Sequence, residues 1–166
     1  RGTRYFKQNR NDTVQMLDVA SREIVGELPS GPDPELLNIH PSGSTVYVAN
    51  EDDNLLTAID LAEKKVVAEV EVGVEPEGVA FSPDGKTVVV TSETTNMAHF
   101  IDTDSYQITD NVLVGQRPRF AEFRADGSQL WVTSEVAGVV SVIDTKAHKV
   151  LKVISFAVPG VQPEQI

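Results

Sequence analysis

Apolar and polar positions along this chain fall in short runs separated by glycine, proline and aspartate, a pattern typical of an all-β protein. Residues 87–92 (T-V-V-V-T-S) are almost all β-branched, which favours a strand buried on both faces. Residues 76–82 predict an innermost strand, and residues 97–102 and 107–114 predict a third and a fourth. Pro83–Lys86 predicts a tight turn, because proline presets φ and glycine accepts a positive φ.

The same pattern returns every 42 residues. Gly31, Gly73 and Gly115 each head one copy, and other residues keep their offsets: Pro34, Pro76 and Pro118; Gly43, Gly85 and Gly127; Glu51, Glu93 and Glu135; Asp60, Asp102 and Asp144. Glycine and proline recur where the backbone needs a special dihedral, so one supersecondary unit is being copied. A period of about 40–45 residues containing four short strands indicates a propeller blade. The sequence therefore predicts an all-β, β-propeller fold.

The phase of the repeat predicts the blade boundaries. Residues 1–30 correspond to a partial blade of three strands, residues 31–72, 73–114 and 115–156 to complete blades, and residues 157–166 to the start of a further blade. This is an incomplete ring of about four blades, for which seven is the expected complete number. An open arc exposes two apolar blade faces, so we expect the ends to pack against other chains or against more of a longer ring.

Several motifs resemble known propeller repeats. V-Y-V-A-N at Val46–Asn50 and V-S-V-I-D-T at Val140–Thr145 are similar to the YVTN family. Thr91–Asp102 (T-S-E-T-T-N-M-A-H-F-I-D) and Gln116–Phe123 (Q-R-P-R-F-A-E-F) resemble the β-propeller proteins associated with PQQ-dependent catabolism. That resemblance implies a periplasmic or secreted protein about twice this long, working beside a quinoprotein dehydrogenase in alcohol oxidation.

Composition limits the classes of function. The chain of 166 residues has no cysteine, which excludes a covalent c-type haem motif, a disulfide framework and thiolate metal sites. Its formal net charge of −11 argues against nucleic acid as a partner and suits cations or basic partners. No apolar run approaches ~18 residues, so we expect no membrane span. The sequence requires no cofactor and identifies none.

Candidate binding residues lie in the loops expected on one face of the propeller, where the fourth-to-first and second-to-third strand connections emerge. Loops held on a rigid scaffold are where binding residues collect. Arg117 and Arg119 stand where other copies have acids, and Glu122 on the same strand is their expected salt-bridge partner. The predicted ligand- or partner-binding residues are Arg117, Arg119, Glu77, Glu35, Glu93, Thr94, Asn96 and His99.

Other residues allow two interpretations. Glu51, Glu93 and Glu135 could offer oxygen ligands to a metal such as Ca²⁺, but their recurrence in every copy favours a structural role. His99 is either a ligand-binding residue or a packed, hydrogen-bonded one. The aspartates that end each third strand are expected to cap the following turn.

The sequence favours a binding or accessory protein over an enzyme. No nucleophile–base pair is identified, because Ser92 and Ser134 have no histidine at a related phase of the repeat. The expected partner is a periplasmic quinoprotein dehydrogenase or a small molecule. The alternatives are a lactonase-like enzyme, a haem- or quinone-binding propeller, and a surface or adhesion module.

Overall fold

Fifteen β-strands form four antiparallel sheets in the computed structural model, which describes the backbone of residues 3–8 and the whole of residues 12–156. The predicted blade start at 157–166 lies outside the described residues. The first sheet contains β1 (Thr3–Gln8), β2 (Thr13–Asp18) and β3 (Ile24–Pro29). The second contains β4 (Pro34–Ile39), β5 (Thr45–Asn50), β6 (Leu55–Asp60) and β7 (Lys65–Glu71).

The other two sheets repeat this arrangement. The third contains β8 (Pro76–Phe81), β9 (Thr87–Ser92), β10 (Met97–Asp102) and β11 (Ile108–Leu113). The fourth contains β12 (Pro118–Phe123), β13 (Gln129–Ser134), β14 (Val139–Asp144) and β15 (Lys149–Ser155). Within each sheet the strands lie side by side in chain order. The predicted all-β, propeller-like arc is confirmed, and β9 and β10 agree with the prediction residue for residue.

The sheets are arranged radially. The first strand of each four-stranded sheet contacts its counterpart in the next, β4 with β8 and β8 with β12, and β1 contacts β4. β1 has the repeat position of β5. Among the described residues, the first sheet therefore has no strand at the repeat position of β4. The inner strands therefore surround a common axis. Residues 3–8 and 12–156 contain no helix with the length and apolar character needed to cross a membrane.

The apolar core consists of three clusters, each between two successive sheets. The cluster between the third and fourth sheets includes Val89, Phe100, Ala121 and Leu130, all almost fully buried. Two equivalent clusters fill the other junctions. Both faces of β9 are covered, which explains its run of β-branched residues. The outer strands β11 and β15 are largely exposed.

Left-handed backbone conformations recur with the repeat and shape the loops. Four positions in the repeat unit have a φ between 43° and 77°: Asp12, Asn54, Asn96 and Gly138; Arg22, Lys64, Tyr106 and His148; Asp33, Glu75 and Arg117; Gly43, Gly85 and Gly127. The aspartates at the ends of the third strands cap the next turn as expected. Asp60 Oδ1, for example, accepts the backbone N–H groups of Ala62 and Glu63.

Candidate functional site

The two predicted sets of loops share one surface, here called the loop face. It comprises the fourth-to-first connections at 30–33, 72–75 and 114–117, the second-to-third connections at 51–54, 93–96 and 135–138, and the first two residues of each inner strand. Backbone hydrogen bonds join the two sets in every copy. The N–H groups of Glu51, Glu93 and Glu135 donate to the carbonyl oxygens of Asp33, Glu75 and Arg117, at 2.9, 2.8 and 2.9 Å.

Arg119 on β12 connects the fourth sheet to the third. Its Nη2 lies 3.1 Å from Glu77 Oε1, and its Nη1 donates to Glu93 Oε1. The side chains of Glu77 and Glu93 are only 5% and 3% exposed. Glu77 depends on this guanidinium for compensation, whereas Glu93 has Arg117 as a second partner. Arg119 also lies within 4.0 Å of Glu135 Oε2. The ion pairs therefore cross the boundary between two sheets.

The predicted pairing of these arginines with Glu122 is wrong. Glu122 is three residues beyond Arg119, and the alternation of side chains along a strand directs it to the opposite face of the sheet. There it pairs in register with Trp131 and lines a cavity on the outer side of the fourth sheet. The true partners of Arg119 come mainly from the neighbouring sheet.

Arg117 is more exposed than Arg119 and is held differently. Its Nε donates to Glu93 Oε2 at 2.8 Å and lies 3.4 Å from Glu135 Oε2, and its side chain is 47% exposed. Its backbone N–H donates to Asn96 Oδ1 at 3.0 Å. The third sheet thus fixes both the backbone and the side chain of Arg117.

A cavity of about 450 Å³ opens beside Arg117, at the boundary between the third and fourth sheets. Its lining includes Glu75, Glu93, Thr94, Asn96, Arg117 and Val136. Four of the predicted binding residues therefore line one cavity: Glu93, Thr94, Asn96 and Arg117. Arg119 and Glu77 form the neighbouring ion pair, and Glu35 lies in the second sheet.

The loop face carries far more acid than base. Among the described residues it has two arginines, Arg117 and Arg119, against nine acidic residues: Asp33, Glu35, Glu51, Asp52, Asp53, Glu75, Glu77, Glu93 and Glu135. Burial raises the pKa of Glu77, the negative charge of Glu35 adds to this shift, and the guanidinium of Arg119 opposes it. Burial and the charges of Glu35 and Asp33 also raise the pKa of Glu51. The excess of nine acidic residues over two arginines makes the loop face electronegative.

The carboxylates that could share a cation differ from those predicted. Within the described residues, the group that brings three candidate ligand atoms within 4.8 Å of one another is Asp33, Glu35 and Glu51. Glu51 was among the predicted candidates. The structure does not bring Glu93 and Glu135 into this group, and both lie against the arginines instead. The sequence did not single out Asp33 as a ligand, although it lies in the motif G-P-D-P-E that also contains Glu35.

A serine–histidine contact that the sequence did not reveal lies inside the third sheet. The N–H of Gly73 donates to His99 Nε2 at 3.0 Å, and Ser92 Oγ lies 3.1 Å from the same nitrogen. His99 Nδ1 therefore carries the proton and donates to Asn111 Oδ1 at 2.6 Å. The phase of the repeat does not relate Ser92 to His99, and it is the pairing of β9 with β10 that brings the two side chains together.

This buried chain of hydrogen bonds holds a loop. Ser92 is fully buried and His99 is 6% exposed, so neither reaches the loop-face cavity. Burial lowers the pKa of His99, which keeps the imidazole neutral as an acceptor for Gly73. In the second sheet Asn50 has the same role, since its Oδ1 accepts the N–H of Gly31 at 3.2 Å. The repetition indicates a structural role for this polar group.

The other two histidines lie on the opposite surface, here called the turn face, which carries the first-to-second and third-to-fourth turns. His40 Nε2 lies 2.9 Å from the carbonyl oxygen of Gly85. His148 Nδ1 lies 3.1 Å from Asp110 Oδ2, and its ring stacks on Phe100 with centroids 4.2 Å apart. Neither ring is part of the loop face.

Comparison with known proteins gives a family match and a structural match. The model of the family described as "Cytochrome D1 heme domain" matches residues 6–94, more than half of the chain. Among solved structures, hydrazine synthase from Kuenenia stuttgartiensis is similar, with a TM-score of 0.88 and 26% identity over 92% of this chain. The chain spans 46% of the length of that protein. No protein with a curated description matches.

Proposed function

Because the chain belongs to the cytochrome D1 heme domain family, we propose that it is part of a propeller serving a periplasmic haem redox system, in which its loop face binds a positively charged partner. The observation that carries this proposal is the charge of the loop face, with nine acidic residues against two arginines. Such a surface attracts a basic protein surface and speeds its association. Propellers present their binding residues on such loops.

The arginines do not cancel this attraction. Arg119 is occupied by Glu77 and Glu93, and Arg117 is held by Glu93 and Glu135. The loop-face residues at 33, 35 and 51–53 are five acids with no arginine among them. Burial, and after it the charges of Glu35 and Asp33, raise the pKa of Glu51, and a partner with lysines or arginines would offset the part that is due to those charges.

The described histidines do not fit as axial ligands of a haem on the loop face. A haem iron needs a histidine, methionine, cysteinate or tyrosinate with a free donor atom facing it. Both ring nitrogens of His99 are hydrogen-bonded, and His40 and His148 lie on the turn face. The chain has no cysteine. We therefore assign this part of the propeller to partner binding.

The matched family favours a haem context over the PQQ-dependent alcohol oxidation that the motifs suggested. A quinoprotein dehydrogenase stays a second candidate partner, supported only by the resemblance of Thr91–Asp102 and Gln116–Phe123. Either partner, a haem protein or a quinoprotein dehydrogenase, would need a basic surface to dock on the loop face. They differ in the redox group of the partner, which a visible absorption spectrum of a captured complex would identify.

The test is titration of the full chain with a basic monohaem c-type cytochrome, followed by calorimetry at several salt concentrations. We expect binding that weakens steeply as salt rises, because exposed charges are screened within about 8 Å at 0.15 M. The loop-face variant Glu51→Gln/Asp52→Asn/Glu75→Gln should bind at least about tenfold more weakly, a loss of roughly 1.4 kcal/mol.

A matched variant on the turn face controls for net charge. The variant Glu23→Gln/Glu63→Gln/Asp104→Asn also removes three negative charges, but from the third-to-fourth turns. We expect it to bind as the unmodified chain does. Equal weakening by both variants, or binding that does not depend on salt, would contradict the proposal.

A further inference from the structure

The 450 Å³ cavity beside Arg117, which is part of the loop face, has the chemistry of a small-molecule site. Its volume lies within the range of about 300–1,000 Å³ that is typical of ligand pockets. It is formed by two adjacent sheets whose relative position is fixed by the Arg119 ion pairs and by the bond from Arg117 N–H to Asn96 Oδ1. The walls are therefore formed before any ligand arrives.

Arg117 offers an anion-binding group to this cavity. Its contacts with Glu93 and Glu135 use Nε, and among the described residues its terminal nitrogens Nη1 and Nη2 have no partner. A guanidinium anchored at Nε presents its two terminal N–H₂ groups as a fork that suits a carboxylate. The fixed side chain loses little conformational freedom on binding.

Glu75 offers a cation-binding group to the same cavity. Thr94 Oγ1 donates to Glu75 Oε2, which orients the carboxylate. Glu75 Oε1 has no partner in the part of the chain that the structure describes. Glu75 and Arg117 hold the same repeat position in adjacent sheets, with φ of 57° and 59°. The repeat thus places an acid and a base on one cavity.

The neighbouring junction lacks this opposition of charge. The repeat equivalents of Glu75 and Arg117 one junction earlier are Asp33 and Glu75, both acidic. Replacement of an acid by Arg117 is what makes the boundary between the third and fourth sheets suitable for an anionic group. Val136, 51% exposed, adds an apolar patch to the cavity wall.

We propose that this cavity binds a small zwitterion of the α-amino acid type, with its carboxylate on Arg117, its ammonium on Glu75 and an aliphatic side chain against Val136. The proposal rests on the loop face being the binding surface of the protein. A zwitterion fits because it supplies a negative charge to the terminal nitrogens of Arg117 and a positive charge to Glu75 Oε1. A purely cationic or purely anionic ligand would satisfy one group and leave the other without a partner.

Calorimetric titration of the full chain with L-leucine tests this directly, with two analogues as probes. Isocaproate lacks the ammonium group and isoamylamine lacks the carboxylate. We expect L-leucine to bind at least about tenfold more tightly than either analogue, since each analogue loses one charge-assisted contact. Equal binding of leucine and isoamylamine would reduce the site to a general cation site and overturn the proposal, as would no binding of leucine.

Variants assign the two contacts. Arg117→Gln should remove the preference for leucine over isoamylamine, and Glu75→Gln should remove the preference for leucine over isocaproate. Glu63→Gln, a charge removal of the same kind on the turn face, should leave both preferences unchanged. If leucine fails to bind while the basic cytochrome still binds with salt dependence, only the cavity proposal fails. If neither binds, the loop-face proposal fails with it.

Discussion

Arg119 and Glu77 form an ion pair between two inner strands, with Arg119 Nη2 on β12 lying 3.1 Å from Glu77 Oε1 on β8. Their sheets are successive copies of one repeat, so the contact links two blades across their boundary near the axis. It also fixes the wall of the cavity beside Arg117. The pair thereby connects the stability of the arc to the geometry of the loop face.

Substitution of Arg119 by glutamine should destabilise the chain far more than the same change at Arg117. Arg119→Gln leaves the buried carboxylate of Glu77 without a counter-charge and takes one from Glu93, which we expect to cost about 3 kcal/mol. Arg117 is 47% exposed, and its substitution should cost less than about 1 kcal/mol. Urea denaturation of both variants measures the difference. Partial recovery in Arg119→Gln/Glu77→Gln would attribute the loss to Glu77, whereas equal losses in the single variants would exclude this assignment.

Gly73 is expected to tolerate no side chain. An added Cβ would overlap with Thr95 Oγ1 and would lie 2.7 Å from His99 Nε2 and 2.8 Å from Ser92 Cβ. Gly73→Ala should therefore cost about 2–3 kcal/mol through overpacking and displacement of the His99 hydrogen bonds. Gly43→Ala is the control, because nothing lies within 4 Å of its added Cβ and only the φ of 77° opposes it, at about 1 kcal/mol. Thermal denaturation that ranks Gly43→Ala as the more damaging change would contradict this description.

Stability should fall in mild acid because of His99. Burial lowers the pKa of His99 in the folded state below its unfolded value of about 6.5. The contribution of the neutral ring is thus complete above pH 6.5 and is lost as the pH falls through the lower folded-state value. His99→Gln should be about 1 kcal/mol less stable than the parent at pH 7.5, and this difference should shrink at pH 5.5. A difference that is constant or grows in acid, measured by urea denaturation, would show that His99 does not titrate as described.

Trp131 should report on the coverage of the outer face of the fourth sheet. It is the one tryptophan of the sequence, and it lines a cavity of about 380 Å³ with Phe123. Its repeat equivalents Tyr47 and Val89 are 2% and 0% exposed because a following sheet covers them. If this face packs against another chain, the emission of Trp131 should move to shorter wavelength as protein concentration rises. An emission maximum and a native mass that both stay constant with concentration would argue against that contact.

The strands were predictable from the sequence because their signals are local. The turn at Pro83–Lys86 and the β-branched run of β9 determine dihedrals and burial within a few residues, and the 42-residue period carries the same assignment into each copy. The placement of the loops on one surface followed from the order of strands in a blade. Four candidates, Glu93, Thr94, Asn96 and Arg117, then line one cavity.

Contacts between strands and between sheets were harder to predict. The partners of Arg119 depend on how successive sheets are rotated about the axis, which no pattern within one strand reports. The alternation of side chains along β12 already argued against Glu122 as a partner of Arg119. The hydrogen bonds that join Ser92, His99 and Asn111 could have been predicted from the sequence. His99 pairs with Asn111 in the register of β10 and β11, so an explicit alignment of the three strands would have found it.

The most direct test of the central claim, that the loop face binds positively charged partners, is a chemical-shift map of backbone amides during titration with the basic cytochrome. We predict the largest shifts at the amides of Glu51, Glu93 and Glu135, which lie in the second-to-third loops. The amides of Gly43, Gly85 and Gly127, in the turns of the opposite face, should hardly move. Shifts concentrated at these glycines, with the three glutamates unaffected, would contradict the account.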